Sequence, residues 1–263
     1  MNATRPLTQP ALAARQFGAA AAAYLDSAVH AAGADLRRLQ ALARQSPGLS
    51  ALDLGCGAGH VAYALAAGGA AVVACDPAAE MLALVEAEAR QRGLDKLSTQ
   101  QGAAEKLPFA AAAFDWVVSR YSAHHWPDVP AAIAEIARVL KPGGSLIVID
   151  IIAPETPLLD TLLQTIEILR DPSHVRDYRR SEWTAMFGAA GFEEPAVNVW
   201  RLPMAFAAWT ARMKTSALRA EAVQDVFNKA ADEARAHFEV AANGDFALDA
   251  AWMQAALRTT SAG

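Results

Sequence analysis

Two hydrophobic rhythms divide the chain. Short, dense apolar runs closed by glycine or proline occur at Leu49–Leu54, Ala70–Cys75, Phe114–Ser119 and Ser145–Ile151, with a weaker run at Leu97–Gln101. Runs of this length between turn residues predict buried strands. Between them, apolar positions recur at helical spacing. They do so over His60–Ala67, over Ala78–Arg92 through Met81, Leu82 and Val85, and over Asp128–Leu140 through Ile133, Ile136, Ala137 and Leu140. Strands alternating with helices imply βαβ units and a parallel sheet. Right-handed crossovers then place helices on both faces.

The flanks read differently. Ala11–Val29 and a segment from Asp35 to Arg44 predict two helices broken at Gly33, the second capped by Asp35 and stopped by Pro47-Gly48. Beyond residue 153, helices are expected at Thr156–Leu169, Ser181–Ala190, Met204–Lys214 and Glu221–His237. Asp171–Arg180 reads as a polar link and Phe192–Trp200 as a sixth strand. In Phe246–Arg258 the alanines favour helix, whereas the position at the end of an α/β chain favours a last strand.

Composition narrows the class. The 263 residues are 54% hydrophobic and 19% charged, enough to bury a core without a disulfide or metal staple and incompatible with general disorder. Alanine makes up about a quarter of the chain, which favours helix but buries little area per residue. The two cysteines, Cys56 and Cys75, are too few for a disulfide scaffold or a Cys-rich metal centre. A net charge of −5 argues against a broad nucleic-acid footprint. Met1–Pro10 holds no apolar leader, and Leu146–Ala153 is too short to span a bilayer. The chain therefore reads as cytoplasmic, with no membrane or nucleic-acid partner.

The chemistry gathers after the first strand, in Gly55-Cys56-Gly57-Ala58-Gly59-His60. Glycines permit a tight turn and close approach of a ligand, beside a helix start that sits at the carboxyl edge of the sheet. A dinucleotide fingerprint needs its third glycine one residue later, and Asp53 would repel a pyrophosphate. An acid there suits a ligand with a cationic amino group, as in S-adenosylmethionine. Asp76, at the end of the second strand, stands where an acid accepts hydrogen bonds from ribose hydroxyls.

These residues bring out a resemblance. Residues 50–150 resemble the core of class I S-adenosylmethionine-dependent methyltransferases through LDLGCGAGHVA (52–62), VVACDPAAEML (72–82), GAAEKLPF (102–109), FDWVVSRYSAHHWPD (114–128) and EIARVLKPGGSLIVID (135–150). Within that class the chain resembles the ubiquinone/menaquinone-biosynthesis-type branch, the type 11 methyltransferases. The pattern Phe17…Tyr24-x-x-Ser27-x-x-His30-x-x-Gly33 and the block DPSHVRDY (171–178) resemble one subgroup of it. True quinone C-methyltransferases differ, carrying an Asn-rich block where this chain has Ser119-Arg120-Tyr121-Ser122.

The resemblance implies a doubly wound α/β fold with a mostly parallel seven-stranded sheet, the Rossmann-like methyltransferase fold. It implies an N-terminal helical cap (1–46), a cofactor-binding core (47–200), a helical lid inserted late (201–245) and a last strand with tail (246–263). By the same resemblance, Asp53, Gly55, Cys56 and Gly57 surround the methionine end of S-adenosylmethionine. Asp76 takes the ribose, and Pro77 and Met81 pack on the adenosine. Ala103, Ala104 and Glu105 form the adenine loop, where relatives often have Asp at position 103. Arg120 offers its carbonyl to the amino group with Tyr121 beside it, and Tyr24 closes over the carboxylate.

The implied activity is methyl transfer to an oxygen or carbon of a small organic acceptor, with S-adenosylhomocysteine as product. A catalytically silent module that binds the cofactor or a partner is the alternative. A nicotinamide oxidoreductase is opposed by the glycine spacing. His125, then His124, are the candidate general bases, because imidazole titrates near neutrality. His30, His174, Arg176 and Trp209 are candidate acceptor contacts, against capping, solvated or packing roles. His60 and His237 read as helix residues. No metal site is expected, His124-His125 with Asp128 being a weak ligand set. The aromatic and Met spacings at Trp183, Met186, Phe187 and at Phe206, Trp209, Met213 fit packing or an apolar acceptor wall. The sequence leaves a homodimer open.

Overall fold

A computed structural model of the chain describes residues 8–18 and 33–259. Tyr24 and His30 lie outside the described residues, as does most of the expected helix Ala11–Val29, of which α1 (Gln9–Gly18) is described. The alternating region forms β1 (Ser50–Leu54), β2 (Ala71–Asp76), β3 (Leu97–Gln101), β4 (Phe114–Arg120) and β5 (Leu140–Ile151). Helices α2 (Ala34–Arg44), α3 (His60–Ala67), α4 (Ala79–Gln91) and α5 (Val129–Val139) accompany them. The sheet order is β3-β2-β1-β4-β5-β7-β6, with β6 at Ala196–Met204 and β7 at Phe246–Ala256. The first five strands are parallel, while β7 runs antiparallel to both β5 and β6. The strand order reverses direction between β1 and β4, which puts the ligand crevice at their carboxyl ends.

One core lies on each side of this sheet. Leu52, Val117, Ile133, Ile136, Trp183 and Phe187 pack on one face; Leu39, Val61, Leu65, Val85 and Ile149 pack on the other. Trp183 and Phe187 are thus core residues of α7 (Arg180–Ala189). A third cluster joins α6 (Pro157–Arg170) to α8 (Phe206–Arg212), α9 (Ala217–Lys229) and α10 (Asp232–His237).

The later elements depart from the sequence pattern in three places. The sixth strand begins at Ala196 instead of Phe192, because Phe192 turns inward, fully buried against Phe187, and Pro195 cannot donate to a ladder. It runs on to Met204, so the expected boundary at residue 200 falls inside β6 and helix α8 starts only at Phe206. Glu221–His237 is two helices, not one: Ala230 and Ala231 are extended and separate α9 from α10. Phe246–Ala256, by contrast, is the last strand that the resemblance implies, its alanine propensity overridden by pairing on both sides. Residues 205–245 therefore form an excursion between two neighbouring antiparallel strands, leaving at Met204 and returning at its paired residue Phe246.

Candidate active site

The glycine loop after β1 is shaped by backbone demands. Gly55 and Gly57 have φ of 68° and 49°, a region that L side chains rarely adopt. A Cβ on Gly55 would lie 1.9 Å from Ser122 Oγ, whereas a Cβ on Gly57 would meet nothing within 4 Å. The surface over Gly57 is open, and it forms part of one continuous cavity of about 180 Å³.

Asp76 fixes the loop from the neighbouring strand. Its carboxylate accepts the Gly57 N–H and the Ala78 N–H, both at 2.9 Å, and keeps lone pairs for further donors. Burial raises its pKa, and the two backbone bonds oppose that. Asp53 accepts the Ala62 N–H at 2.9 Å. Burial lifts its carboxyl to about 7, against the Ala62 bond and Arg120, with the Asp76 charge adding to the rise. The wall continues through Cys56, Pro77, Met81, Ala103, Ala104, Glu105, Arg120 and Tyr121. Cys56 is buried, and burial pushes its thiol well up, so it fills the loop as an unionised side chain. Arg120 pairs with Asp35 of α2, and Tyr121 holds a left-handed backbone at φ 49°.

S-adenosylmethionine fits these residues on three counts. The loop is open where the cofactor must approach. Asp53 is a buried acid that a cationic amino group would keep ionised. Glu105 Oε1 is a buried acceptor without a hydrogen-bond partner among the described residues, beside Ala103, which supplies no acid of its own.

The far end of the cavity is built from side chains. A 3₁₀ turn at Ala123–His125 follows β4, and His124 and His125 both line the cavity. His124 Nδ1 lies 2.7 Å from Asp150 Oδ1. Asp150 is locked by the Ala123 and Ile151 N–H groups at 3.0 and 2.9 Å. Burial disfavours the charged imidazole, but Asp150 outweighs it and raises His124 to about 9. His125 is pushed down to about 3 by burial and then by the charge of His124, and its Nδ1 is 3.0 Å from the Ser173 carbonyl. Opposite stand Glu167 and Arg170 of α6, Asp177, and Trp209, Arg212 and Met213 of the 205–245 excursion.

Residues 171–180 are not a surface link. Asp171, Ser173, His174 and Asp177 are all buried, held by bonds such as Val175 N–H to the His124 carbonyl at 2.8 Å and Ser173 N–H to Asp171 at 2.8 Å. Polarity suggested solvent there; internal pairing makes burial tolerable. His174 sits behind His124, with ring centroids 5.6 Å apart, and does not line the cavity. Arg176 does not line it either: it pairs with Asp160 at 2.9 Å and Glu182 at 3.5 Å toward the surface. Asp128 caps α5 through the Ala131 N–H; the carboxylate paired with His124 is Asp150, and Asp177 lies within 4.8 Å of that pair without bonding to it. Sequence reasoning missed Asp150, Glu167 and Asp177. Two of them break apolar patterns, Asp150 inside a buried strand and Glu167 on the buried face of α6, and that is the signal that points to them.

A glycine loop, an acid ending β2 and a crevice at the strand reversal define a class I methyl-transfer fold. The comparisons agree. A methyltransferase domain family matches residues 52–148. YafE of Escherichia coli is 44% identical over 191 residues, 73% of this chain and 92% of that protein. The methyltransferase YcgJ of Bacillus subtilis is 38% identical over 227 residues, 86% and 90% of the two chains. The YcgJ crystal structure superposes with a TM-score of 0.78 at 36% identity, covering 85% of this chain and 99% of that one. Nocamycin O-methyltransferase of Saccharothrix syringae is 40% identical over 113 residues, 42% of this chain and 40% of that one. This chain belongs to the S-adenosylmethionine-dependent methyltransferase family, and it is an enzyme that uses that cofactor. No helix among the described residues is long and apolar enough to cross a membrane.

Proposed function

We propose that the enzyme methylates an oxygen or carbon of a small organic acceptor held at the inner end of the cavity, with His124 removing the acceptor's proton. The observation that carries this reading is the 2.7 Å pairing of His124, which lines the cavity, with the locked, buried carboxylate of Asp150. Bound S-adenosylmethionine supplies the electrophilic methyl group. The chain binds it through Asp53, Gly55, Gly57, Asp76, Pro77, Met81 and the Ala103–Glu105 loop, and it holds the acceptor in line at about 3–3.5 Å while excluding water. Nδ1–H of His124 donates to Asp150, which leaves Nε2 to accept a proton, and the carboxylate stabilises the imidazolium that results. His125, at about 3, is too weak a base to share this work. Leu202, Met204, Trp209, Met213 and Leu248 give the acceptor an apolar wall. The O-methyltransferase activity named for the Saccharothrix relative supports oxygen as the target.

The test is methyl transfer from labelled cofactor to an acceptor pool, followed by a pH–rate profile on the acceptor that turns over. The expected kcat/KM rises with pH, is half-maximal near 9 and levels only above that, as His124 loses its proton. His124→Asn should lower kcat by about 10²–10⁴-fold with S-adenosylhomocysteine affinity unchanged. A flat profile, or a His124→Asn enzyme with full activity, removes His124 from this role.

A further inference from the structure

At the inner end of the cavity, where Arg170 and Arg212 also stand, one buried carboxylate holds an oxygen with no hydrogen-bond partner among the described residues. His124 is paired with Asp150 at 2.7 Å, and Arg170 with Glu167 at 3.5 Å. The carboxylate in question is Asp177. Its side chain is 1% exposed, yet Oδ2 makes no hydrogen bond among the described residues. The nearest candidate partner, His174 Nε2, is 3.8 Å away. That nitrogen is 3.2 Å from Gln164 Oε1, which also accepts the Asp177 N–H at 3.1 Å. Gln164 Oε1 is an acceptor, so Nε2 of His174 carries its proton toward it and has none for Asp177. Burial and the charges of His124 and His125 keep His174 neutral. A carboxylate taken out of water without a partner is costly, and this one faces the cavity within 4.8 Å of the His124–Asp150 pair.

We propose that Asp177 anchors a protonated nitrogen of the acceptor, so that the enzyme methylates small amine-bearing molecules. This rests on the reading of the inner cavity as the acceptor site. The charged nitrogen is the handle; the atom methylated is the one presented to His124. An ammonium or amidinium supplies both the charge and the N–H donors that Oδ2 lacks. A carboxylate-bearing acceptor would place a like charge beside Asp177 and supply no N–H donor to Oδ2. A neutral alcohol would satisfy one bond but leave the charge unmatched.

The test measures binding to the enzyme saturated with S-adenosylhomocysteine, and so does not depend on turnover. The probes are matched amine, alcohol and carboxylate on two carbon frames, n-butyl and benzyl. Calorimetry should show the amine binding at least about tenfold more tightly than its alcohol on one frame or both, and Asp177→Asn should abolish that preference. Equal or better binding of alcohol or carboxylate overturns the proposal. So does an amine preference that survives Asp177→Asn, or an absence of amine binding up to on the order of 10 mM. If S-adenosylhomocysteine itself fails to bind, the underlying reading falls instead. Thermal melts of the ligand-free protein give a second measure. Burial holds the Asp177 pKa well up, with His124, Arg170, Asp150, Glu167 and His174 as the groups facing it. The acid is therefore protonated and tolerated at low pH, and it destabilises the fold as pH rises through that raised pKa. Asp177→Asn should raise the melting temperature more at pH 8 than at pH 5. A lower melting temperature at pH 8 means that Asp177 has a partner within the protein, and it sinks the proposal.

Discussion

The two ends of the cavity are built by different means. The cofactor end is mostly backbone: glycine φ angles, the N–H groups of Gly57 and Ala78, and the acids that receive them. Its residues lie in contiguous blocks between 53 and 121. The inner end is mostly side chain, with His124, Glu167, Asp177 and Trp209 each brought from a different segment and Asp150 paired to His124 from β5. Backbone shaped by short motifs recognises an invariant ligand. Side chains assembled over long sequence separations suit the partner that differs from one methyltransferase to another. The contrast also extends to electrostatics. At the cofactor end, buried acids stand at hydrogen-bonded positions. At the inner end, buried groups of both signs shift one another, with His124 raised to about 9 and His125 lowered to about 3.

That contrast can be broken experimentally, and the sharpest blow falls on the cofactor end. Asp76→Ala removes the proposed acceptor for the ribose and unties the Gly57 and Ala78 N–H groups together. Lost hydrogen bonds of about 1–3 kcal/mol predict roughly ten- to hundredfold weaker S-adenosylhomocysteine binding by calorimetry. An unchanged affinity would remove Asp76 from the cofactor end. A smaller effect is expected from pH. Asp53 titrates near 7 when the cavity is empty, and a cofactor ammonium prefers its ionised form. Below that pH, affinity should fall by up to about tenfold per unit, and Asp53→Asn should flatten the curve; a wild-type affinity independent of pH between 5 and 8 would contradict this. The smallest effect concerns a residue that belongs to neither end. Arg176→Ala loses partly exposed ion pairs, worth about 0.2–1 kcal/mol. It should leave cofactor and amine binding unchanged, and a clear loss of amine affinity would return Arg176 to the acceptor site.

The sheet and the cofactor end were legible because their signals are local. Apolar runs of strand length, a Gly55-x-Gly57-x-Gly59 turn and an acid at the end of a strand each need only a few adjacent residues to be read. The inner end was legible only as a pair of histidines in the right place. The local sign at Asp150 is a charge interrupting an apolar strand; that it meets His124 across the β4–β5 neighbours is not written there. The segment 171–178 shows the limit most clearly. Its polar residues pair internally with Gln164, His124 and each other, so hydrophilicity coincides with burial, and a reading by polarity sends them to the surface. Arg176, from the same segment, does face outward, and the pattern offered no way to separate it from Asp177. In Phe246–Ala256 the tie between helix and strand was broken by tertiary pairing: a strand lies on each side, and that outweighs the alanines.

The passage from β6 to β7 has an evolutionary reading. The 205–245 excursion departs and returns at residues already paired in the sheet, Met204 with Phe246, so its ends are held about one strand spacing apart whatever lies between them. It contributes Trp209, Arg212 and Met213 to the inner cavity but no residue of the glycine loop. Such a segment is an exchangeable cassette. Lineages can replace, lengthen or recombine it at two neighbouring joints without disturbing the register of the sheet or the cofactor end. New acceptors are therefore reachable by changes confined to one stretch of gene.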